Sequence, residues 1–225
     1  MTFVLIPGAG SGAWSWHLVV AELERRGHEA VAVDLPCDDD SAGLSEYVDV
    51  AMAAVAGRAH LVVAAQSLGA FTGSLLCDRV PVDLLVLVNA MVPAPGESPG
   101  DWWANTRWAE ARRAEIERLG GDDSPEATFL HDVPPALIAA VQSHLRNQSG
   151  TPFEKPWPLE AWPDVETRVL LCRGDRFFPA DFQRRVAQER LGITPDEMDG
   201  GHVPMLSRPI ELADRLEAYA ASIRR

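Results

Sequence analysis

Cysteine is scarce in this sequence. Cys37, Cys77 and Cys172 are widely spaced over 225 residues and odd in number, so they supply neither a disulfide framework nor a C-x-x-C metal site. A reducing compartment is expected, and with it a cytoplasmic location. Positive charge is also short: 20 basic residues against 33 acidic ones leave a formal charge of −13. That field repels phosphate backbones and anionic lipid head groups, which argues against nucleic acid or a membrane surface as partner. Long apolar runs are missing as well. Residues 2 to 6, TFVLI, stop at Pro7-Gly8, too short for the core of a signal peptide, and nothing approaches the roughly 20 apolar residues of a membrane span.

What the chain does have is a rhythm. Five short apolar runs, TFVLIP (2–7), EAVAVDL (29–35), HLVVAA (60–65), VDLLVLVNA (82–90) and TRVLLCR (167–173), alternate with helix-length segments. Runs apolar on both faces suit parallel strands covered by helices on each side, and the alternation implies a doubly wound, mostly parallel α/β sheet. Helices are expected over Trp14 to Arg26, from a Ser45 cap through Ala56, and over Leu68 to Arg79. Between Met91 and Trp162 the rhythm breaks: prolines punctuate helical pieces near Trp102 to Leu119 and Pro135 to Arg146. This stretch reads as a helical cap, residues 91–162, inserted after the fourth apolar strand into a core made of 1–90 and 163–225. It holds five of the seven tryptophans (Trp102, Trp103, Trp108, Trp157, Trp162), which can line an apolar pocket; Trp103, Trp108 and Phe129 are the pocket candidates. A helix near Ala180 to Arg190, a strand near Ile193 to Met198 and a closing helix over Pro209 to Ile223 complete the pattern. The run Asp38-Asp39-Asp40 reads as a solvated turn, and no metal is expected.

The stretch AAQSLGA (64–70) ends a strand and opens a helix. It matches the nucleophile elbow G-x-S-x-G except that Ala65 stands for the first glycine. A serine hydroxyl is a poor nucleophile without a base in reach and a third group to orient that base. His202, in the Gly-rich loop DGGHVP, follows the last expected strand, and Asp175 comes three residues after the end of RVLLC. All three would emerge at the carboxyl edge of the sheet, where open α/β sheets place their ligands. Attack on a carbonyl also needs two donors for the oxyanion. Leu68 supplies one backbone N–H, and Ala9, in the glycine-rich loop IPGAGSGAW, the other. That loop lacks the Lys-Ser/Thr of a P-loop and the G-x-G-x-x-G spacing of a dinucleotide site, so no cofactor is expected.

With these residues in chain order Ser67, Asp175, His202, the sequence resembles the α/β-hydrolase superfamily over essentially its whole length. More narrowly, the opening FVLIPGAGSGAWSWHLVVAELERRGHEAVAVDLP is similar to that of the plant methyl esterases and hydroxynitrile lyases and their bacterial relatives. The resemblance implies an α/β-hydrolase fold and a Ser67-His202-Asp175 triad. Two positions depart from the pattern: Pro7 replaces the usual His, and Ala65 the elbow glycine. The lyase branch carries a Thr after that His and a Lys beside the late His; here Gly8 and Val203 stand there, which favours hydrolysis. The expected activity is cleavage of a small, largely apolar carboxylic ester. The alternatives are a non-catalytic small-molecule binding protein on the same fold, or lyase or acyl-transfer chemistry by the same triad. The expected partner is a small ester substrate, and a homodimer stays open.

Overall fold

The computed structural model describes residues 1–223. Six strands form one sheet: β1 (Thr2–Ile6), β2 (Glu29–Ala32), β3 (Leu61–Gln66), β4 (Leu84–Val88), β5 (Thr167–Cys172) and β6 (Asp196–Met198). Their order is β2-β1-β3-β4-β5-β6, and every neighbouring pair is parallel. The expected apolar runs therefore become strands, and the sheet is parallel throughout rather than mostly so.

The period of two in the strands sorts their side chains onto two faces. Val4 and Ile6, Val63 and Ala65, and Leu85 and Leu87 enter one apolar layer; Phe3 and Leu5, Val62 and Ala64, and Leu84 and Val86 enter the other. Helices α2 (Leu44–Val55) and α3 (Gly69–Arg79) cover the first face with Tyr47, Val48, Phe71 and Leu75. The second face is covered by α1 (His17–Arg25), which follows a 3-10 turn over Ala13–Trp16, and by the closing helix (Pro209–Ser222) through Leu212 and Leu216. Each such Leu or Phe contributes roughly 1.5–3 kcal/mol by leaving water, so both layers hold the sheet rigid under its loops.

Helix α2 begins at Leu44, not behind Ser45. Glu46 reaches back to accept the Gly43 N–H at 2.8 Å, and Leu44 is buried, so the chain turns helical one residue before Ser45, which points to solvent. The helix expected over Trp102 to Leu119 is two, α4 (Pro99–Asn105) and α5 (Trp108–Arg118). The break falls at Arg107, whose φ of 54° is left-handed and cannot continue a right-handed helix. A π-helical turn over Glu126–Leu130, unforeseen, precedes α6 (Pro135–His144). Beyond β5 come α7 (Ala180–Leu191), a short β6, and α8 (Pro204–Ser207) before the closing helix, α9.

The chain runs from β1 outward to β2, then crosses to β3 on the other side of β1. The loops after β1 and β3 thus diverge, and the crevice between them is where open α/β sheets hold ligands. Among the described residues, no helix is long and apolar enough to cross a membrane.

Candidate active site

Ser67 sits one residue past β3 with φ of 52°, a left-handed conformation that costs a serine about 1 kcal/mol or more and persists only where its surroundings impose it. They do so here: the Ser67 N–H donates to Val88 O at 3.2 Å, and its carbonyl accepts from Ala70 and Met91 at 3.1 and 3.0 Å. The bend also needs bare backbone nearby. A Cβ on Gly69 would stand 2.5 Å from Pro7 O, and one on Gly8 would stand 2.4 Å from Gln66 Oε1. Ala65 fits for a related reason. A Cβ on Gly73, one turn into α3, would come within 2.7 Å of the Ala65 methyl, so the space the elbow lacks at position 65 is returned at position 73.

Three sequence-predicted side chains meet at this bend. His202 Nε2 lies 3.2 Å from Ser67 Oγ, and His202 Nδ1 lies 2.8 Å from Asp175 Oδ2. A carboxylate only accepts, so Nδ1 carries the ring proton and Nε2 presents its lone pair to the hydroxyl. Asp175 is itself fixed: Oδ1 accepts the Phe177 and Phe178 N–H groups at 2.8 and 2.9 Å, and Gln183 Nε2 donates to Oδ2 at 3.3 Å. All three residues are at most 6% exposed. Such a series, shielded from water, can take a proton from the hydroxyl as Oγ attacks an electrophile.

The imidazole is held from all sides. Phe129, Phe177 and Phe178 pack edge-on around it at centroid distances of 5.5, 5.1 and 5.0 Å. The His202 carbonyl accepts from Gln66 Nε2 at 3.0 Å and from Asn89 Nδ2 at 3.3 Å. Asn89 also donates to Gly201 O and accepts the Cys172 N–H, while Asp132 Oδ2 accepts the Gly201 N–H at 2.7 Å. These supports were not anticipated from the sequence. Gln66 and Asn89 carried a signal, being polar residues at the ends of wholly apolar strands; Gln183 and Asp132 carried none. Cys172, at the end of β5 and two strands from β3, is no rival nucleophile, since burial, reinforced by the Asp175 charge, pushes its thiol well above the usual range.

A cavity of about 410 Å³ opens over Ser67 and His202, with Trp103, Phe129, Phe177 and Met91 among its walls. Ala9 faces it from the loop after β1. Among the described residues neither the Ala9 nor the Leu68 N–H donates to another group. Of the three pocket candidates, Trp103 and Phe129 line the cavity and Trp108 does not. Its indole N–H donates to Phe177 O at 2.9 Å and its ring packs on Trp103 at 4.8 Å, so it backs the wall instead of forming it. Trp102 and Trp157 are wholly buried and Trp162 bonds Thr167. Trp103 is therefore the one tryptophan of that five facing the cavity, joined by Trp14 from the β1 side. Asp38 pairs with Arg146 and Asp39 with Ser41, and among the described residues no three His, Cys, Asp or Glu side chains are arranged to hold a metal ion.

A parallel sheet with a serine on a strained turn at its switch point belongs to a known class: the alpha/beta hydrolase family profile matches residues 3–215, and the chain belongs to that family. Among its relatives, norfluorocurarine synthase 1 from Strychnos sp is 24% identical over 98% of this chain and 96% of its own. Methylesterase 3 from Arabidopsis thaliana is 24% identical over 93% of this chain and 92% of its own. The crystal structure of polyneuridine aldehyde esterase superposes with a TM-score of 0.81 at 22% identity, covering 97% of this chain and 98% of that one. The expected likeness to the plant methyl esterase group thus holds.

Proposed function

We propose that the protein is a serine hydrolase that cleaves a small, largely apolar, uncharged carboxylic ester through an acyl-enzyme. One observation carries this reading: the unbroken series Ser67 Oγ, His202 Nε2, His202 Nδ1, Asp175 Oδ2 at 3.2 and 2.8 Å, on the floor of an apolar cavity. His202 takes the Ser67 proton as Oγ bonds to the carbonyl carbon. The oxyanion is met by the Ala9 and Leu68 N–H groups. The alcohol then leaves with the proton from Nε2, and water reverses the sequence to release the acid. Residues 91–162 act as the cap over this site.

The wall chemistry selects the substrate. Arg146, among the described residues the one Arg or Lys lining the cavity, is engaged by Asp38, Asp34 and the Leu35 carbonyl, so it offers little to a substrate carboxylate, and Glu126, also in the lining, repels one. Aromatic and aliphatic side chains dominate elsewhere, which suits apolar acyl or alkyl groups. The test is a panel of neutral and anionic esters with products identified by mass. Acid and alcohol products from neutral esters, abolished in Ser67→Ala, are expected. Products of elimination or acyl transfer, or turnover unchanged in Ser67→Ala, would overturn the reading.

A further inference from the structure

The loop that carries the Ala9 N–H has little to hold it from within. Pro7 supplies no N–H, and Ala9 stands between two glycines, Gly8 and Gly10, the most freely rotating residues. Yet a donor that meets an oxyanion must be placed in advance to a few tenths of an ångström. The bonds that fix this loop come from far along the chain. Gly10 N–H donates to Gln148 Oε1 at 3.0 Å, and Gly10 O accepts the Arg146 N–H at 2.9 Å. Gly10 has φ of 65°, and a Cβ there would stand 3.1 Å from Arg146 O, so the two segments touch backbone to backbone. Downstream, Asp34 Oδ1 accepts the Ala13 N–H at 3.0 Å, and the Arg146 guanidinium reaches the same carboxylate.

The Gln148 amide cannot rotate away. Its Nε2 donates to Tyr47 OH at 3.1 Å and to Ser149 O at 3.0 Å, which turns Oε1 towards Gly10. Tyr47 is buried in α2, and Ser149 N–H is tied to Cys37 O at 2.7 Å. The amide is thus a bridge with one end anchored in the core and the other on the loop.

We infer that Gln148 is a positioning residue: it acts through Gly10 to set the Ala9 N–H for the developing oxyanion, taking the place of the internal bonding that Pro7 removes from the loop. The inference rests on the hydrolase reading for its catalytic consequence, and on geometry alone for the loop's order.

Two variants test it. Gln148→Ala deletes the acceptor, whereas Gln148→Glu keeps a carboxylate oxygen for Gly10 N–H and lets Tyr47 OH donate to the other, while giving up the bond to Ser149 O. With an ester that the wild type cleaves, Gln148→Ala should lower kcat about tenfold or more, less than outright loss of an oxyanion donor, with KM within about threefold. A trifluoromethyl ketone, which forms the tetrahedral oxyanion on the serine, should weaken in the same proportion, and Gln148→Glu, which keeps the Gly10 acceptor but not the Ser149 bond, should recover a substantial part of both. Amide hydrogen exchange of the 7–12 segment, which needs no turnover, should speed up in Gln148→Ala and return towards wild type in Gln148→Glu. Wild-type kcat in Gln148→Ala, equal loss in both variants, or unaltered exchange would overturn the inference. A wild type that cleaves no ester contradicts the proposed activity alone, and the exchange result then decides on the bridge.

Discussion

At the scale of single residues, the site depends on where bulk is left out. A nucleophile on a left-handed turn needs neighbours that close in without a side chain, and Gly8 and Gly69 provide that. The Ala65–Gly73 pair distributes one methyl group differently from the usual elbow. Adding a methyl at position 73 brings two Cβ atoms to 2.7 Å, an overpacking of the order that costs about 1–3 kcal/mol. It opposes the gain of up to about 1 kcal/mol that Ala has over Gly inside a helix. Gly73→Ala should therefore lower the melting temperature, and the same change in an Ala65→Gly background should be neutral or stabilising. Equal effects in the two backgrounds, measured as a double-mutant cycle, would show that the two positions do not share this space.

At the scale of elements, the end of α1 is joined to α9 by a charged cluster. Glu22 binds Arg25 and Arg26, and Arg26 reaches Asp214 and Glu217. The hydrogen bonds from Arg25 and then Arg26 hold the Glu22 carboxyl at about 2, against an ordinary 4.5. A depressed acid stabilises the fold fully above its unfolded value and loses that contribution as pH falls through its folded one. Glu22→Gln should thus melt lower than wild type near neutral pH, and the gap should close as pH falls from 4.5 towards 2. A gap independent of pH would place the effect outside this cluster. The elements themselves were legible to different degrees. Strands β1, β3, β4 and β5 showed as continuous apolar runs because both their faces are buried. The break between α4 and α5 did not, because it turns on one left-handed residue, Arg107, whose side chain carries no such signal. Nor did the π turn at Glu126–Leu130, whose sequence is ordinary for a helix.

At the scale of the whole molecule, strand order is what brings distant positions together. Ser67, Asp175 and His202 could be picked out because each comes just after a strand, and parallel strands deliver their succeeding loops to one edge. The placing of Ala9 beside the cavity was legible from the glycines around it. The pairings of their supports were not: Gln66 and Asn89 stand out as polar residues ending apolar strands, but nothing local says that they grip a carbonyl more than 110 residues away, or that Gln148 grips a loop 138 residues before it. Such pairings depend on how the 91–162 connection returns to the core, which no local pattern encodes. The same return sets the cavity walls, which is why Trp108 was expected in the lining and stands behind it.

Activity of the proposed kind depends on Ser67 being made nucleophilic by His202. The most direct test is to treat the wild-type protein and a His202→Ala variant with a fluorophosphonate and locate the adduct by peptide mass spectrometry. A single phosphonyl group on Ser67 in the wild type, absent or greatly slowed in the variant, is the predicted result. An unlabelled Ser67, or labelling equally fast without the imidazole, would contradict it.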